Sequence, residues 1–260
     1  MILLCNGDSW TQGDAPAQIE YPGYKSELGK TPGWYNIVPV LPVGRNISST
    51  EVYRFYDSSV WPKVLGEKLG WETWNCGTSG VINQTIIRTT INSIDYLESM
   101  GKKDIFVIIQ LTSLLRYDSV RIELGKKNKT DFVDKRIPTF PSEIDTPQMH
   151  FLVHQMYKSV IVGVINLQNY LKMKKLPYLI YNAFDYKIED NFKEFPQYNY
   201  IDLNNIYNRS FKPEFKNYIE NKFSVKWSAT ESEYFVKNHP TDISHIAWAE
   251  ELYEYIRNGE

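Results

Sequence analysis

Short, largely apolar runs alternate with longer amphipathic stretches along most of the chain. The runs are typical of buried strands and cover residues 2–5, 71–76, 105–111 and 178–183, with a shorter candidate fifth strand at 200–203. Several of them end in a loop that contains glycine or a polar side chain. We therefore expect a set of short strands that are buried on both faces.

Between these runs, apolar residues recur every three or four positions, which predicts amphipathic helices. The predicted helices cover residues 61–69, 82–100, 150–173 and 242–256. Alternation of helices with buried strands is typical of a parallel sheet covered on both faces. The sequence therefore predicts an α/β fold, a three-layer α/β/α sandwich of the flavodoxin-like kind, with a mostly parallel central sheet of about five strands.

Three stretches show no clear periodicity and are rich in Tyr, Asn, Pro and Gly. They lie near residues 11–59, 113–147 and 184–239. No low-complexity linker separates two candidate cores, so we interpret these stretches as long insertions in a single domain that spans residues 1–260.

The composition narrows the classes of function. The chain has 29 basic and 31 acidic side chains and a formal net charge of −2, so it lacks the basic excess of most nucleic-acid-binding proteins. Neither a secretory leader nor a stretch long enough to span a membrane is expected from the sequence. Cys5 and Cys76 do not form a disulfide framework, and we interpret them as buried thiols near strand ends.

Ser9 lies just after the first predicted strand, in the sequence Gly-Asp-Ser. The carboxyl end of a parallel strand is where side chains of an active site are exposed, and a serine there becomes a nucleophile when a base accompanies it. The alternative is a simple turn, in which Asp8 and Ser9 bind nearby backbone amides.

Four histidines are candidates for that base. His150 and His154 lie one turn apart on a predicted helix, a spacing that suits two metal ligands or, more simply, a pair on a helix surface. His239 precedes Pro240 in an insertion and has no evident partner in the sequence.

His245 is the favoured base because Asp242 precedes it by three positions. An aspartate in that place can orient the imidazole and stabilise its cation while the other ring nitrogen takes a proton from serine. The alternative is that Asp242 only caps the last helix and that His245 lies on the surface.

Two further loops follow predicted strands and offer donors to a developing oxyanion. Residues 75–80 lead into a helix, so their backbone amides lie near the positive end of the helix dipole. Residues 110–113 follow the third strand and include polar side chains. Both loops are expected at the same edge of the sheet as Ser9.

In this order, the short blocks resemble those of the SGNH (GDSL-type) hydrolase family. The Gly-Asp-Ser sequence resembles the first block, with Ser9 in the nucleophile position. Residues 75–80 resemble the second block, with Gly80 at the glycine of the oxyanion hole. Residues 242–245 resemble the last block, so the resemblance implies His245 as general base and Asp242 as the acid that orients it.

The third block departs from the family pattern, Gly-x-Asn-Asp, and has Thr112 in the asparagine position. A threonine hydroxyl donates one hydrogen bond, so the resemblance implies an oxyanion hole made by Ser9, Gly80 and Thr112. Asn83 is a candidate substitute donor. This variant block resembles divergent phage-encoded or bacterial members. Because no signal peptide is expected, we predict a cytoplasmic protein, or a virion-associated one if it is phage-encoded.

The resemblance implies a serine esterase that hydrolyses a carboxylic ester through an acyl-enzyme, with neither metal nor organic cofactor. Tyr, Asn and Trp in the insertions suit stacking on sugar rings and binding to hydroxyl groups, which favours a small acyl group, such as acetyl, on a glycan. No nucleic-acid or membrane partner is expected. The alternative is a non-catalytic glycan-binding or structural module on the same fold, motivated by Thr112.

Overall fold

The computed structural model describes nine stretches of the chain, and most of the predicted insertion at 11–59 lies outside them. The described residues are 1–13, 60–78, 81–113, 116–122, 130–136, 147–183, 192–227, 232–236 and 239–259.

The described elements begin with β1 (Ile2–Asn6), α1 (Ser9–Gln12), α2 (Trp61–Leu69), β2 (Glu72–Asn75), α3 (Asn83–Ser99), β3 (Ile105–Leu111), β4 (Arg116–Ile122) and β5 (Thr130–Arg136). They continue with α4 (Pro147–Lys174), β6 (Tyr178–Asn182), three short 3-10 helices (Pro196–Tyr200, Leu203–Asn205 and Tyr207–Arg209), α5 (Glu214–Phe223), β7 (Phe235–Val236), β8 (His239–Pro240) and α6 (Asp242–Asn258). Among these residues, no helix is both long enough and apolar enough to cross a membrane.

A four-stranded sheet in the order β2-β1-β3-β6 forms the centre of the fold, and all its strand pairs are parallel. Successive side chains of a strand point to opposite faces. Leu4 and Val107 therefore pack with α3 and α4 on one face, whereas Leu3 and Ile108 pack with α2, α5 and α6 on the other. Two separate apolar layers result, which confirms the predicted α/β/α arrangement.

The predicted fifth strand at 200–203 is wrong, because this segment runs from the last residue of one 3-10 helix to the first residue of the next. The Asp202 carboxylate accepts a hydrogen bond from the Asn204 N–H, which stabilises a tight turn instead of an extended chain. Isolated parallel bridges at Ile206 and Pro213 pair with β6 and prolong the edge of the sheet.

Two of the predicted insertions contain regular structure. Strands β4 and β5 form an antiparallel ladder within 113–147, and α5 lies within 184–239. The assignment of residues 1–260 to a single domain stays a prediction.

Candidate active site

Ser9 is the first residue of the short helix α1, directly beyond the carboxyl end of β1. Asp8 caps this helix, because its carboxylate accepts the Trp10 N–H at 3.0 Å. The helix ends at Gly13, whose φ of 93° lies in the left-handed region and whose N–H donates to the Ser9 carbonyl. The local sequence thus forms one tight turn that presents Ser9 at the sheet edge.

The turn requires a glycine at position 7. A Cβ atom there would collide with the Thr11 side chain and with Cβ of Gln110. The Gly7 carbonyl also accepts the Thr78 N–H at 3.0 Å, which holds the loop after β2 against the Ser9 turn. The absence of a side chain at Gly7 therefore allows two neighbouring strand ends to meet at Ser9.

His239 is the histidine that meets Ser9. Its Nε2 atom lies 2.9 Å from the Ser9 Oγ atom, within hydrogen-bond distance. Ser9 is buried and His239 is half-buried. A serine hydroxyl that donates to an imidazole nitrogen is the arrangement by which a base activates a nucleophile.

A small hairpin holds His239 in place. Strand β8, which begins at His239, pairs with β7 in antiparallel fashion. The Thr241 N–H and the Ser244 hydroxyl both donate to the Tyr234 carbonyl, at 2.9 and 2.8 Å. These bonds attach the hairpin to the first turn of α6, so the packing of α6 on the sheet fixes the position of the imidazole.

The structure does not bring His245 to Ser9, and this corrects the predicted general base. His245 lies in the first turns of α6 and points into the core, where it is fully buried and packs edge-on against Phe215 at 5.7 Å between ring centroids. Its Nδ1 atom accepts the Trp61 N–H at 3.3 Å. His245 is therefore a core residue rather than a surface residue or a base for Ser9.

Asp242 does not take the predicted role of orienting acid. It is exposed in the first turn of α6, whereas the Nδ1 atom of His245 faces the backbone of Trp61. If the Asp-x-x-His spacing is aligned on His239 instead, the acid position falls on Val236, an apolar residue. The sequence therefore lacks an aspartate at the matching position before the histidine that contacts Ser9.

Thr112 does not offer a donor to an oxyanion, contrary to the prediction. Its hydroxyl donates to Asp8 Oδ2 at 2.6 Å, and its backbone N–H donates to Asn83 Oδ1 at 2.9 Å. A hydroxyl has only one hydrogen to donate. Gly80, the second predicted donor, lies outside the described residues, whereas the third, Ser9, lies at the sheet edge as expected.

Asn83 bridges the second and third blocks. In addition to accepting the Thr112 N–H, its amide donates to the Thr112 carbonyl at 2.9 Å. The first residue of α3 is thereby tied to the end of β3. Asn83 is buried and acts here as a link between two loops of the site.

The imidazole of His154 packs on Phe195 at 4.4 Å between ring centroids. Within the stretches that the structure describes, no three side chains of the types His, Cys, Asp and Glu are grouped so that they could hold a metal ion. Of the two histidines at helical spacing, His154 therefore makes an ordinary packing contact.

One signal for His239 was present in the sequence. His239 and Pro240 directly precede the last helix, and a histidine placed just before a helix that packs on the sheet lies near the sheet edge. Asp242 and His245 offered a stronger local pattern but lie inside that helix. The Asp-x-x-His spacing alone does not reveal that His245, the fourth residue of this helix, points into the core.

Burial of His245 predicts a loss of stability in acid. Burial, and then the charge of nearby His239, lowers the pKa of His245 from 6.5 to about 3. Between these two pH values the unfolded chain binds a proton that the folded chain excludes, so the free energy of unfolding falls as the pH drops from about 6.5 towards 3. The loss from this group is at most about 5 kcal/mol.

The measurement is urea unfolding at pH values from 7 to 4, for the wild type and for His245→Asn. The asparagine retains an acceptor near the Trp61 N–H but does not titrate in this range. We expect the variant to have a flatter pH dependence of its free energy of unfolding. Parallel pH profiles for the two proteins would show that His245 is not the buried neutral group described above.

Comparisons with known proteins give similarity in structure only. No protein family model matches the chain, and no curated protein matches its sequence. The chain is similar to the solved structure of an acetyl xylan esterase from the rumen bacterium Butyrivibrio proteoclasticus, with 12% identity and a TM-score of 0.47 over 99% of this chain and 63% of that one.

It is also similar to a carbohydrate esterase family 2 enzyme with a carbohydrate-binding domain from Corynascus thermopiles (Myceliophthora fergusii), with 12% identity and a TM-score of 0.46 over 99% of this chain and 66% of that one. A third similar structure is a Desulfitobacterium hafniense protein named for the G-D-S-L lipolytic family, with 12% identity and a TM-score of 0.41 over 100% and 99% of the two chains.

The chain spans less than two thirds of the length of either carbohydrate esterase. At this identity and TM-score, the similarity assigns no activity to the chain.

Proposed function

We propose that the protein is a serine esterase that removes a small acyl group, such as acetyl, from a carbohydrate through an acyl-enzyme. The observation that carries this proposal is the contact of 2.9 Å between Ser9 Oγ and His239 Nε2. Ser9 is the nucleophile and His239 is its general base. The pair takes the place of the triad of Ser9, Asp242 and His245 expected from the sequence.

In the first half of the reaction, Ser9 Oγ attacks the ester carbonyl carbon while its proton passes to His239 Nε2. The tetrahedral intermediate then collapses, the bond to the leaving oxygen breaks, and His239 gives the proton to the departing alcohol. The acyl group stays on Ser9 as an ester.

In the second half, water enters in place of the alcohol and loses a proton to His239 as its oxygen attacks the acyl carbon. Collapse of the second intermediate releases the carboxylic acid and returns the proton to Ser9 Oγ. The same imidazole serves both halves because Ser9 and the incoming group use the same ring nitrogen.

The oxyanion of both intermediates needs donors other than Thr112. The backbone N–H of Ser9 is one, because it lies in the first turn of α1, where Asp8 already accepts the Trp10 N–H through its side chain and the Thr11 N–H through its carbonyl. The resemblance to the family assigns a second donor to Gly80.

Aromatic packing beside Ser9 supports a small acyl group. Trp10 is only 3% exposed and packs against Phe215, Trp227 and Phe235, with ring centroids 5.4, 6.5 and 6.1 Å away. Among the described residues, aromatic rings pack closely around Trp10, the neighbour of Ser9, which supports a short acyl group. The Tyr, Asn and Trp residues of the insertions support a carbohydrate as the alcohol component.

A glycan-binding module without catalysis is the second candidate. Two features favour it: Val236 stands where an orienting acid is expected, and Thr112 donates to Asp8 rather than towards a substrate. Loss of one oxyanion donor typically lowers the rate of acyl transfer by about 100- to 1000-fold.

A panel of esters tests the proposal. We expect hydrolysis of 4-nitrophenyl acetate and release of acetate from acetylated xylan and acetylated chitooligosaccharides. We expect the kcat/KM for 4-nitrophenyl octanoate to be at least about tenfold lower than that for the acetate, because the longer acyl chain would meet the aromatic rings packed around Trp10.

Ser9→Ala serves as the control for contaminating esterases. Calorimetric binding of an acetylated glycan without release of acetate would establish the module instead. Faster hydrolysis of the octanoate than of the acetate would contradict the small acyl group.

A further inference from the structure

Asp8 lies at the centre of a buried polar cluster directly before the nucleophile. Its side chain is fully buried, and its carboxylate accepts hydrogen bonds from the Trp10 N–H, the Gln110 amide and the Thr112 hydroxyl. The two side-chain bonds are both 2.6 Å long. A buried carboxylate depends on such donors, because it has no water to replace them.

Gln110 is held in one orientation. The Thr11 hydroxyl donates to Gln110 Oε1 at 2.6 Å, so the amide nitrogen of Gln110 faces Asp8 Oδ1. Thr11 in turn accepts the Asn75 amide through its backbone carbonyl at 2.9 Å. The cluster therefore joins the ends of three neighbouring strands, β1, β2 and β3.

The spacing along β3 explains why Gln110 and Thr112 act together. Side chains two residues apart on an extended chain point to the same side, and both of these reach the Ser9 turn. The missing side chain at Gly7 leaves room for Gln110 to pass over the backbone and reach Asp8. One polar side chain thus meets each oxygen of the Asp8 carboxylate.

We propose that Gln110 and Thr112 are positioning residues that act on Ser9 through Asp8. The inference rests on the proposed function of Ser9 as a nucleophile. The two side chains fix the carboxylate, the carboxylate fixes the first turn of α1, and that turn sets the direction of the Ser9 Oγ and N–H. In this chain, the third block therefore supports the nucleophile instead of donating to the oxyanion.

Four variants test this role: Thr112→Val, Thr112→Ser, Asp8→Asn and the double variant Asp8→Asn/Thr112→Val. The valine keeps the shape of threonine and the backbone bonds to Asn83 but removes the hydroxyl. The serine keeps the hydroxyl and is the matched control. Kinetic constants for 4-nitrophenyl acetate and rates of fluorophosphonate labelling at Ser9 are measured after folding is checked by circular dichroism.

We expect Thr112→Val to lower kcat and the labelling rate at least about tenfold with KM within about twofold. Thr112→Ser should stay within about threefold of the wild type. Because Thr112 acts through Asp8, the double variant should be no slower than Asp8→Asn alone. If Thr112→Val does not fold, Thr112→Ala replaces it in the same comparison.

Three outcomes overturn the proposal. Thr112→Val with wild-type kcat and labelling but a lower melting temperature would make the cluster merely structural. Multiplicative losses in the double variant would show that Thr112 acts on the substrate directly. A Thr112→Ser variant as slow as Thr112→Val would show that the hydroxyl of Thr112 is not the group that supports Ser9.

Failure of the proposed esterase function can be distinguished from failure of the positioning role. A wild-type protein that labels at Ser9 but hydrolyses none of the esters is not an esterase for this panel, and the labelling rates of the four variants still decide the role of the cluster. A wild-type protein that neither labels nor hydrolyses overturns both proposals together.

Discussion

His239→Ala is expected to lower kcat for 4-nitrophenyl acetate by about 100- to 10,000-fold, because Ser9 loses the imidazole that takes its proton. His239 lies on the hairpin β7–β8 and is half-buried, so removal of its ring leaves the core intact. Steady-state hydrolysis at pH 8 measures the loss.

His245→Asn is the matched control for this prediction. His245 is fully buried and contacts Trp61 and Phe215, whereas His239 is the histidine that contacts Ser9. At 20 °C and pH 8 we expect the folded variant to keep most of the wild-type kcat. The reverse pattern, with His239→Ala active and His245→Asn inactive, would restore the assignment that the Asp-x-x-His spacing predicted.

Ser9→Ala is expected to have the largest effect of any single substitution on activity. Without Oγ no acyl-enzyme forms, and kcat should fall by about 10,000-fold or more, to the rate of background hydrolysis. The substitution removes one hydrogen bond, to His239, so the free energy of unfolding should fall by only about 1 kcal/mol.

Hydrolysis of 4-nitrophenyl acetate and thermal unfolding, measured on the same preparation, separate these two quantities. A folded Ser9→Ala protein with more than about a tenth of the wild-type kcat would exclude Ser9 as the nucleophile. If the melting temperature falls strongly, a loss of activity could come from unfolding instead of from the missing Oγ. Fluorophosphonate labelling of the wild-type protein at Ser9 would then test Ser9 as the nucleophile.

The sequence predicted the central strands and helices well because their signals are local and strong. Strand β3 and helix α2 have the predicted bounds, Ile105–Leu111 and Trp61–Leu69. Continuous apolar runs must be buried on both faces, which only a sheet covered by helices provides. The 3-10 turns near Asp202 depend on a side-chain cap, and the ladder of β4 with β5 depends on pairing between two neighbouring segments; periodicity reveals neither.

The nucleophile was predictable and the base was not. Ser9 follows a strand directly, so its place at the sheet edge is a consequence of the local sequence. For the base, both His239 and His245 lie near the start of the last helix, only six positions apart. Which of them meets Ser9 depends on the helix phase of α6 and on the bonds from its first turn to Tyr234, which are tertiary features.

The role of Thr112 was also beyond the sequence. Alignment to the family pattern placed it in the oxyanion hole by position, and the direction of a hydroxyl depends on its neighbours. Here the nearest acceptor is the buried Asp8 carboxylate, which takes the one available proton. Thr112 therefore contacts Asp8 instead of taking the oxyanion role that its position in the family pattern predicts.

Intact-mass analysis after incubation with a fluorophosphonate tests the pairing of Ser9 with His239 most directly. We expect one adduct on the wild type, none on Ser9→Ala, strongly slowed labelling of His239→Ala, and labelling of His245→Asn at nearly the wild-type rate. No adduct on folded wild-type protein, or an equal adduct on Ser9→Ala, would contradict an activated Ser9.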